Sequence, residues 1–241
     1  MNILIPMAGR GERFSNNGFD IPKPLIELEG KTMIELAIKS LNIEGNYIYV
    51  TYRYTNKEFN QKLEEILNRI TPNCTIIKID YITEGPASSA LLAKKYIDNE
   101  EELIITNCDQ IMSWDSKNFL EFIKKTDKEG IVVTYNSSTE KNSYVKLNEI
   151  GDAIELAEKK VISEFSLNGI HYWKKGKYFV ESAEDMISKN IRVNNEFYIS
   201  MTYNEMIEKK LKVSNYHIIN NHHHAVGTPE DLKEYLKNGS K

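Results

Sequence analysis

The chain has no apolar stretch approaching the length of a membrane span. Its first apolar run breaks at Gly9 and Arg10, with no basic flank before it. Neither a spanning helix nor a secretory signal is expected, and a cytoplasmic globular protein is the reading that follows. Cysteine is scarce: Cys74 and Cys108 are the only two, both in apolar surroundings and without metal-type spacing. That excludes a disulfide framework and points to buried, reduced thiols. Strong charge of either sign is also missing. A net charge of −4 argues against a general nucleic-acid or anionic-membrane binder. An anionic ligand must therefore be met by a local cluster of basic side chains. No repeat, linker or low-complexity tract interrupts the chain, and 241 residues with 41% hydrophobic content read as one domain, residues 1–241.

What is present alternates. Asn2–Met7, Asn46–Tyr52, Cys74–Ile79, Leu103–Thr106 and Ile131–Tyr135 are short apolar runs suited to buried strands. Between them lie helical patterns over Lys31–Leu41, around Phe59–Ile70, over Pro86–Ile97 and over Phe119–Lys125. Thr32 with Glu35 makes a capping box for the first of these. Strands alternating with helices predict an α/β fold: a Rossmann-like, mostly parallel central sheet flanked by helices. After about Asn136 the rhythm changes. Tyr144–Leu147, Ala153–Leu156 and Leu167–Trp173 suggest a small mixed or antiparallel region, with Gly151 in a hairpin turn. Helices resume at Lys177–Ser188, at Tyr198–Lys210 and after Thr228-Pro229-Glu230-Asp231, whose cap, first-turn proline and acids mark a helix start.

The first strand runs into PMAGRGERF, a glycine-rich loop with two arginines. A P-loop needs Gly, four residues and Gly-Lys-Ser/Thr, which the chain lacks. The dinucleotide fingerprint needs a third small residue, and Phe14 stands there. A phosphate cradle and an exposed turn both remain. Glycine lets backbone N–H groups approach an anion, and Arg10 and Arg13 can add charge-assisted contacts. Downstream, Pro22-Lys23-Pro24-Leu25 pins one lysine between two prolines, the second of which favours extended geometry at Lys23. A stiffly held lysine suits a phosphate contact whose position matters.

The pattern Ala8-Gly9-Arg10-Gly11-Glu12-Arg13 followed by Pro22-Lys23-Pro24-Leu25 resembles the nucleotidyltransferases that make sugar nucleotides and related activated compounds. Further along, Gly85-Pro86-Ala87-Ser88-Ser89-Ala90 resembles the family's nucleobase loop and Asn107-Cys108-Asp109 its strand-end aspartate. Glu158-Lys159 and Leu167-Asn168-Gly169-Ile170-His171-Tyr172 resemble its E-K…G-x-Y region, and Gly227-Thr228-Pro229-Glu230-Asp231-Leu232 its closing segment. The resemblance implies a GT-A-like nucleotidyltransferase fold, with residues 1–136 binding nucleotide and 137–241 binding acceptor. It implies transfer from a nucleoside triphosphate to a phosphorylated small molecule, with Mg2+ and release of pyrophosphate. Arg13 and Lys23 are then catalytic. Met7, Ala8, Gly9, Arg10, Gly11, Gly85, Ser88 and Ser89 contact nucleotide, Asp109 holds metal, and Lys159, Asn168, Gly169 and His224 meet the acceptor.

Each assignment has a plainer alternative: Asp109 closing a turn, Ser88 and Ser89 packing on the sheet, Lys159 beside Lys160 on a solvated face, and His222-His223-His224 in a polar loop. One departure stands out. Many family members carry an aspartate two residues before Gly-Thr-Pro, where this chain has Ala225. CTP is the favoured donor, in a cytidylyltransferase serving surface glycan or capsule synthesis; a sugar-1-phosphate uridylyl- or thymidylyltransferase is the alternative. A metal-dependent glycosyltransferase would show Asp-x-Asp where the chain reads Asp109-Gln110-Ile111. A non-catalytic nucleotide-binding protein and a homodimer both remain open. Tyr172, Trp173, Phe197 and Tyr198 could line an acceptor pocket, but core packing is the better default for most of them.

Overall fold

A computed structural model describes residues 1–238, so the last three of the expected domain 1–241 lie outside the described residues. Along the chain come β1 (Asn2–Met7), α1 (Glu12–Ser15), β2 (Glu27–Leu28), β3 (Lys31–Thr32), α2 (Met33–Leu41) and β4 (Asn46–Tyr52). They are followed by α3 (Lys57–Ile70), β5 (Thr75–Ile79), α4 (Pro86–Leu91), α5 (Lys94–Ile97), β6 (Leu103–Ile105) and β7 (Gln110–Met112). Next are α6 (Ser116–Lys125), β8 (Gly130–Asn136), β9 (Ser143–Leu147), β10 (Ala153–Glu158) and β11 (Phe165–Trp173). The chain closes with α7 (Gly176–Ser188), α8 (Thr202–Glu208), β12 (Val213–His217), β13 (His223–Ala225) and α9 (Pro229–Asn238).

The expected α/β fold is present as a nine-stranded sheet. β5, β4, β1 and β6 run parallel in that spatial order, with Leu4 opposite Ile48 on one side and Ile105 on the other. Beyond β6 the sheet turns antiparallel through β11, which pairs with β6 at His171–Trp173 and with β8 along most of its length. At its other end Ser166 meets Tyr144, which joins the β9–β10 hairpin to the sheet. Gly151 turns that hairpin at φ +84°, as expected. Because β4 lies on one side of β1 and β6 on the other, the crevice at the carboxyl ends of β1 and β6 is a topological switch point, the position where open α/β sheets bind ligands.

Strand periodicity explains the two-sided core. Ile3, Ile5 and Met7 face one layer with Ile34, Ile38, Leu63 and Leu67 of α2 and α3. Leu4, Val50, Ile105 and Trp173 face the other, with Ala87, Phe179 and Met206 of α4, α7 and α8. A third cluster, built from Phe14, Ile26, Leu28, Met33, Ile111, Val226, Leu232 and Tyr235, ties the opening loop to α9.

Four differences from the sequence reading have local causes. The helix expected over Pro86–Ile97 breaks after Leu91, where Leu92 and Ala93 amides bond three residues back to Ser89 and Ala90. The helix expected from Tyr198 begins at Thr202, because Tyr198–Met201 forms turns that bond Met201 to Tyr198 and Thr202 to Ile199. Lys23–Leu25 is a 3₁₀ turn rather than an extended segment, closed by Leu25 N–H to the Pro22 carbonyl (2.8 Å). The polar strand β12 pairs parallel with β8 and has no apolar run to announce it.

The capping box of α2 forms as expected. One oxygen of Glu35 accepts from the Thr32 backbone N–H (2.9 Å) and hydroxyl (2.7 Å), and the other from Arg69 (2.6 Å). Burial pushes the Glu35 pKa up, but these bonds and the charge of Arg69 outweigh it and leave it lowered. Thr32→Ala is expected to cost about 1 kcal/mol, read as a lower urea midpoint with an unchanged slope. A depressed carboxylate contributes stability above its unfolded pKa and loses it as pH falls through the folded value. The difference between parent and variant should therefore shrink in acid.

Candidate active site

β1 delivers Met7 and Ala8, both buried, to the mouth of the crevice, and Gly9 and Arg10 then emerge into solvent. A side chain on Gly9 would meet nothing within 4 Å, so its backbone is open to a ligand. Gly11 is constrained twice. Its φ of +66° suits glycine, and an added Cβ would lie 3.1 Å from Cβ of Lys23. The glycine loop and the Pro-Lys-Pro-Leu turn are thus packed against one another. Phe14, 1% exposed, anchors α1 beneath them, with the Lys23 ammonium 6.0 Å from its ring centre.

Lys23 Nζ forms an ion pair with Asp109 Oδ2 across 86 residues of sequence. Asp109 stands four residues past the end of β6, and its carbonyl accepts from Val226 N–H (2.9 Å). Gly227 closes over the pair: a Cβ there would come within 2.7 Å of Asp109 Oδ2. Burial pulls the Lys23 pKa down, but the charge and hydrogen bond of Asp109 overcome it and leave it raised. Burial likewise pushes Asp109 up, and Lys23 overcomes it and holds the carboxyl lowered. Arg13 is exposed above Lys23, and among the described residues neither Arg10 nor Arg13 has a carboxylate partner.

Beside the pair lies a cavity of about 310 Å³. Asp109, Gln110 and Gly227 form its near wall, Asn168, Gly169 and His171 of β11 its floor, and Ser143, Glu158, Tyr198 and Ser200 its far wall. Gly169, at φ +97°, is forced by closeness: a Cβ would lie 2.3 Å from Asn107 Nδ2. Asn168 is buried and braces the floor by accepting from Ile170 N–H (2.9 Å). Glu158 accepts from the hydroxyls of Ser143 and Ser200 (2.9 Å from the latter), and burial raises its pKa.

The remaining expected site residues are placed as follows. Gly85 opens α4 at φ +126°, pressed so closely on Phe197 that a Cβ would lie 2.6 Å from its backbone N and O. Ser89 is buried and bonded to the Thr83 hydroxyl (2.6 Å), whereas Ser88 is half-buried. Lys159 lies off the cavity lining, its ammonium donating to the Tyr198 hydroxyl (2.7 Å). His224 also points elsewhere, to the Ser113 hydroxyl (2.9 Å) and the Tyr235 ring. Its neighbour His223 lines the cavity, its ring tilted against Tyr135 with centroids 4.5 Å apart. Alternation along β13 explains the exchange. Burial pulls His223 down to about 4 and His171 to about 3, so both are neutral at pH 7. Positive charge at the crevice therefore comes from lysine and arginine. Lys141, exposed on the loop before β9, also lines the cavity, and no sequence signal marked it. Tyr172, Trp173 and Phe197 are core residues, while Tyr198 reaches the cavity.

β13 pairs with β7 so that Ala225 faces Gln110, next to Asp109. Among the described residues no three His, Cys, Asp or Glu side chains gather to hold a metal. Magnesium is commonly held by one or two carboxylates, with phosphate and water completing its shell. Asp109 fits an ion that arrives with phosphates, not one caged by protein. Cys108, buried and pushed up to about 12 by that burial, is an inert thiol.

A family model described as nucleotidyl transferase matches residues 3–239, and the chain belongs to that family. The bifunctional protein GlmU of Methanocaldococcus jannaschii is 26% identical over 240 residues, covering 98% of this chain and 54% of that protein. The catalytic subunit beta of mannose-1-phosphate guanylyltransferase from Dictyostelium discoideum is 29% identical over 166 residues, 66% of this chain and 45% of that one. The chain thus spans about half the length of these relatives. Among solved structures, a nucleoside-diphosphate-sugar pyrophosphorylase from Vibrio cholerae RC9 superposes with a TM-score of 0.85 at 21% identity, covering 98% of this chain and 99% of that one. The inositol-1-phosphate CTP transferase from T. maritima gives 0.75 at 15%, covering 100% and 97%. At these identities the likeness is one of fold. No helix among the described residues is long and apolar enough to cross a membrane.

Asp109→Asn removes the charge that holds Lys23 up while leaving its burial in place. The Lys23 ammonium is then expected to titrate below its value in the parent, as read from the Lys23 Cε and Nζ resonances. An unchanged titration would show that the two groups are not coupled in solution.

Proposed function

We propose that the chain is a magnesium-dependent nucleotidyltransferase that moves a nucleoside monophosphate from a nucleoside triphosphate to a phosphorylated small molecule. The observation that carries this reading is the pairing of Lys23 with Asp109 at the switch point, under an open glycine loop and beside a polar cavity. An oxygen of the acceptor phosphate attacks the α-phosphorus. The bond from that phosphorus to the bridging oxygen breaks, and the electron pair leaves with pyrophosphate. The attacking oxygen is anionic at neutral pH, so no side chain must remove a proton. Catalysis is alignment and charge stabilisation.

In this reading, the backbone from Met7 to Gly11 and the side chain of Arg10 receive the phosphates, and Arg13 holds the triphosphate. Lys23 turns from Asp109 to the transferring phosphate and the departing pyrophosphate. Asp109 would hold magnesium, which when bound would neutralise the charge that develops on the phosphates. Gly85, Ser88 and Ser89 border the base. Asn168 and Gly169 shape the acceptor floor, and Lys159 and His224 reach the acceptor only by leaving their present partners. Residues 1–136 carry the nucleotide and 137–241 the acceptor.

CTP is the favoured donor. The acceptor is a phosphorylated sugar or a small phosphorylated amide, the latter as in the CTP:phosphoglutamine cytidylyltransferase that the chain resembles, and the product serves surface glycan or capsule synthesis. The descriptions of the fold neighbours support both a cytidylyl and a uridylyl alternative, since one is an inositol-1-phosphate CTP transferase and another a UDP-glucose pyrophosphorylase.

Pyrophosphate release with magnesium, screened over CTP, UTP, dTTP, GTP and ATP against pooled sugar phosphates and small phosphorylated amines and amides, tests the reaction and selects the pair. Release is expected with one pair, and nucleotide binding without release by any pair would favour a non-catalytic protein. Lys23→Ala should lower turnover by about 10²–10³-fold with an unchanged circular dichroism spectrum. Asp109→Asn should lower activity and flatten its magnesium dependence together; an intact metal titration would return Asp109 to a structural role.

A further inference from the structure

The segment between α7 and α8 was not marked by any motif, yet it joins the two sides of the crevice. Val193 and Glu196 exchange backbone bonds of 3.1 and 3.0 Å, and the residues between them, Asn194 and Asn195, have φ of +48° and +63°. This is the two-residue turn that asparagine tolerates. Arg192, just before it, is its hub. Nε donates to Asn190 Oδ1 (2.6 Å), Nη1 to the Asn195 carbonyl (3.1 Å) and Nη2 to Glu84 Oε1 (2.8 Å). The guanidinium lies 3.9 Å from the ring centre of Phe197, which is fully buried.

That hub fixes a backbone seam. Phe197 N–H donates to the Glu84 carbonyl (2.8 Å), and its carbonyl accepts from Ala87 N–H (3.0 Å), around a Gly85 that no other residue could replace without a clash. On one side of the seam is the loop that enters α4. On the other, the chain continues directly into Tyr198, Ile199 and Ser200, which line the cavity. The Glu84 pair itself is half-exposed and worth little as an isolated ion pair. What matters is that a single planar fork is used at three donors and one face, which only arginine supplies.

We propose that Arg192 is a positioning residue that locks the nucleotide loop to the acceptor wall, so that nucleotide binding orders Tyr198–Ser200 for the acceptor. The proposal rests on the nucleotidyltransferase reading of the site. It adds a coupling between the two substrates, carried by residues that touch neither set of phosphates. By linkage, whatever nucleotide does for acceptor affinity the acceptor does for nucleotide affinity.

The test is hydrogen exchange of the whole chain with magnesium, with and without each of CTP, UTP, dTTP, GTP and ATP, in the parent, Arg192→Ala and Arg192→Lys. In the parent, the nucleotide that slows exchange at residues 8–11 and 87–90 is expected to slow it at 198–200 as well. In the variants, protection at 8–11 persists while the nucleotide-dependent protection at 198–200 falls by about tenfold. A merely structural role would raise exchange with and without nucleotide alike and leave that difference unmoved. Should Arg192→Ala fail to fold, Arg192→Lys keeps a cation beside Phe197 and Glu84 but gives up the planar fork. Protection confined to the loops in the parent, or retained at 198–200 in the variants, overturns the coupling. No protection anywhere with any of the five nucleotides overturns the reading of the site itself, and the coupling with it.

Discussion

Lys23 and Asp109 can be held largely out of water only because each neutralises the other. Removing one partner from such a pair leaves an uncompensated charge, which costs far more than the pair contributes. Much of the surrounding sequence serves that constraint. Gly11 lets the opening loop lie against the lysine stem, Gly227 lets the closing segment pass over the carboxylate, and Val226 N–H fixes the Asp109 carbonyl. Three segments far apart in sequence are brought to one point, and the cluster of Phe14, Ile111, Val226 and Leu232 beneath supplies the apolar burial that keeps them there.

The same pair sets the electrostatic state of the crevice. Its own charges cancel, and the nearby imidazoles of His171 and His223 are neutral at pH 7. Under the proposed function, attraction for a polyphosphate would rest on exposed cations, Arg10 and Arg13 at the loop and Lys141 at the cavity. In the proposed reaction, phosphate oxygens would give Lys23 new acceptors and free Asp109 to face a cation. One carboxylate suffices for an ion that brings phosphate ligands with it, which is why Ala225 is compatible with magnesium-dependent chemistry.

Much of this was legible in residues. Asn2–Met7 and Asn46–Tyr52 announce buried strands because both faces of each are apolar, and Thr32 with Glu35 announces a helix start because the cap chemistry is local. The Lys23 turn and Asp109 were visible as motif positions, though not their contact, which depends on β1 and β6 being neighbours. What stayed hidden was set by tertiary context. β12 is polar enough to read as loop, and β7 and β13 are three residues each, too short for a period to show. His223 and His224 could not be told apart, because one residue of register decides which of them faces the cavity. Lys141 carried no signal at all, being one exposed lysine among many.

The sheet itself brings the two halves of the chain to a single crevice. β11 belongs to the C-terminal half of the chain yet lies directly beside β6, so Asn168 and Gly169 arrive next to Asn107 and Asp109 without any interface between separate bodies. The loop after β6 and the floor on β11 share one hydrogen-bonded sheet, so they cannot drift apart by rigid-body motion. Adjustment is left to the segments off the sheet: the opening loop, the residues after Gly85 and the turn from Phe197 to Ser200. Of these, the last two are tied to each other by backbone hydrogen bonds of Glu84, Ala87 and Phe197. In-line transfer requires reacting atoms placed to within a fraction of an ångström. A rigid sheet, with two segments off it joined by the Glu84–Phe197–Ala87 backbone bonds that Arg192 flanks, would suit this requirement while still letting substrates enter.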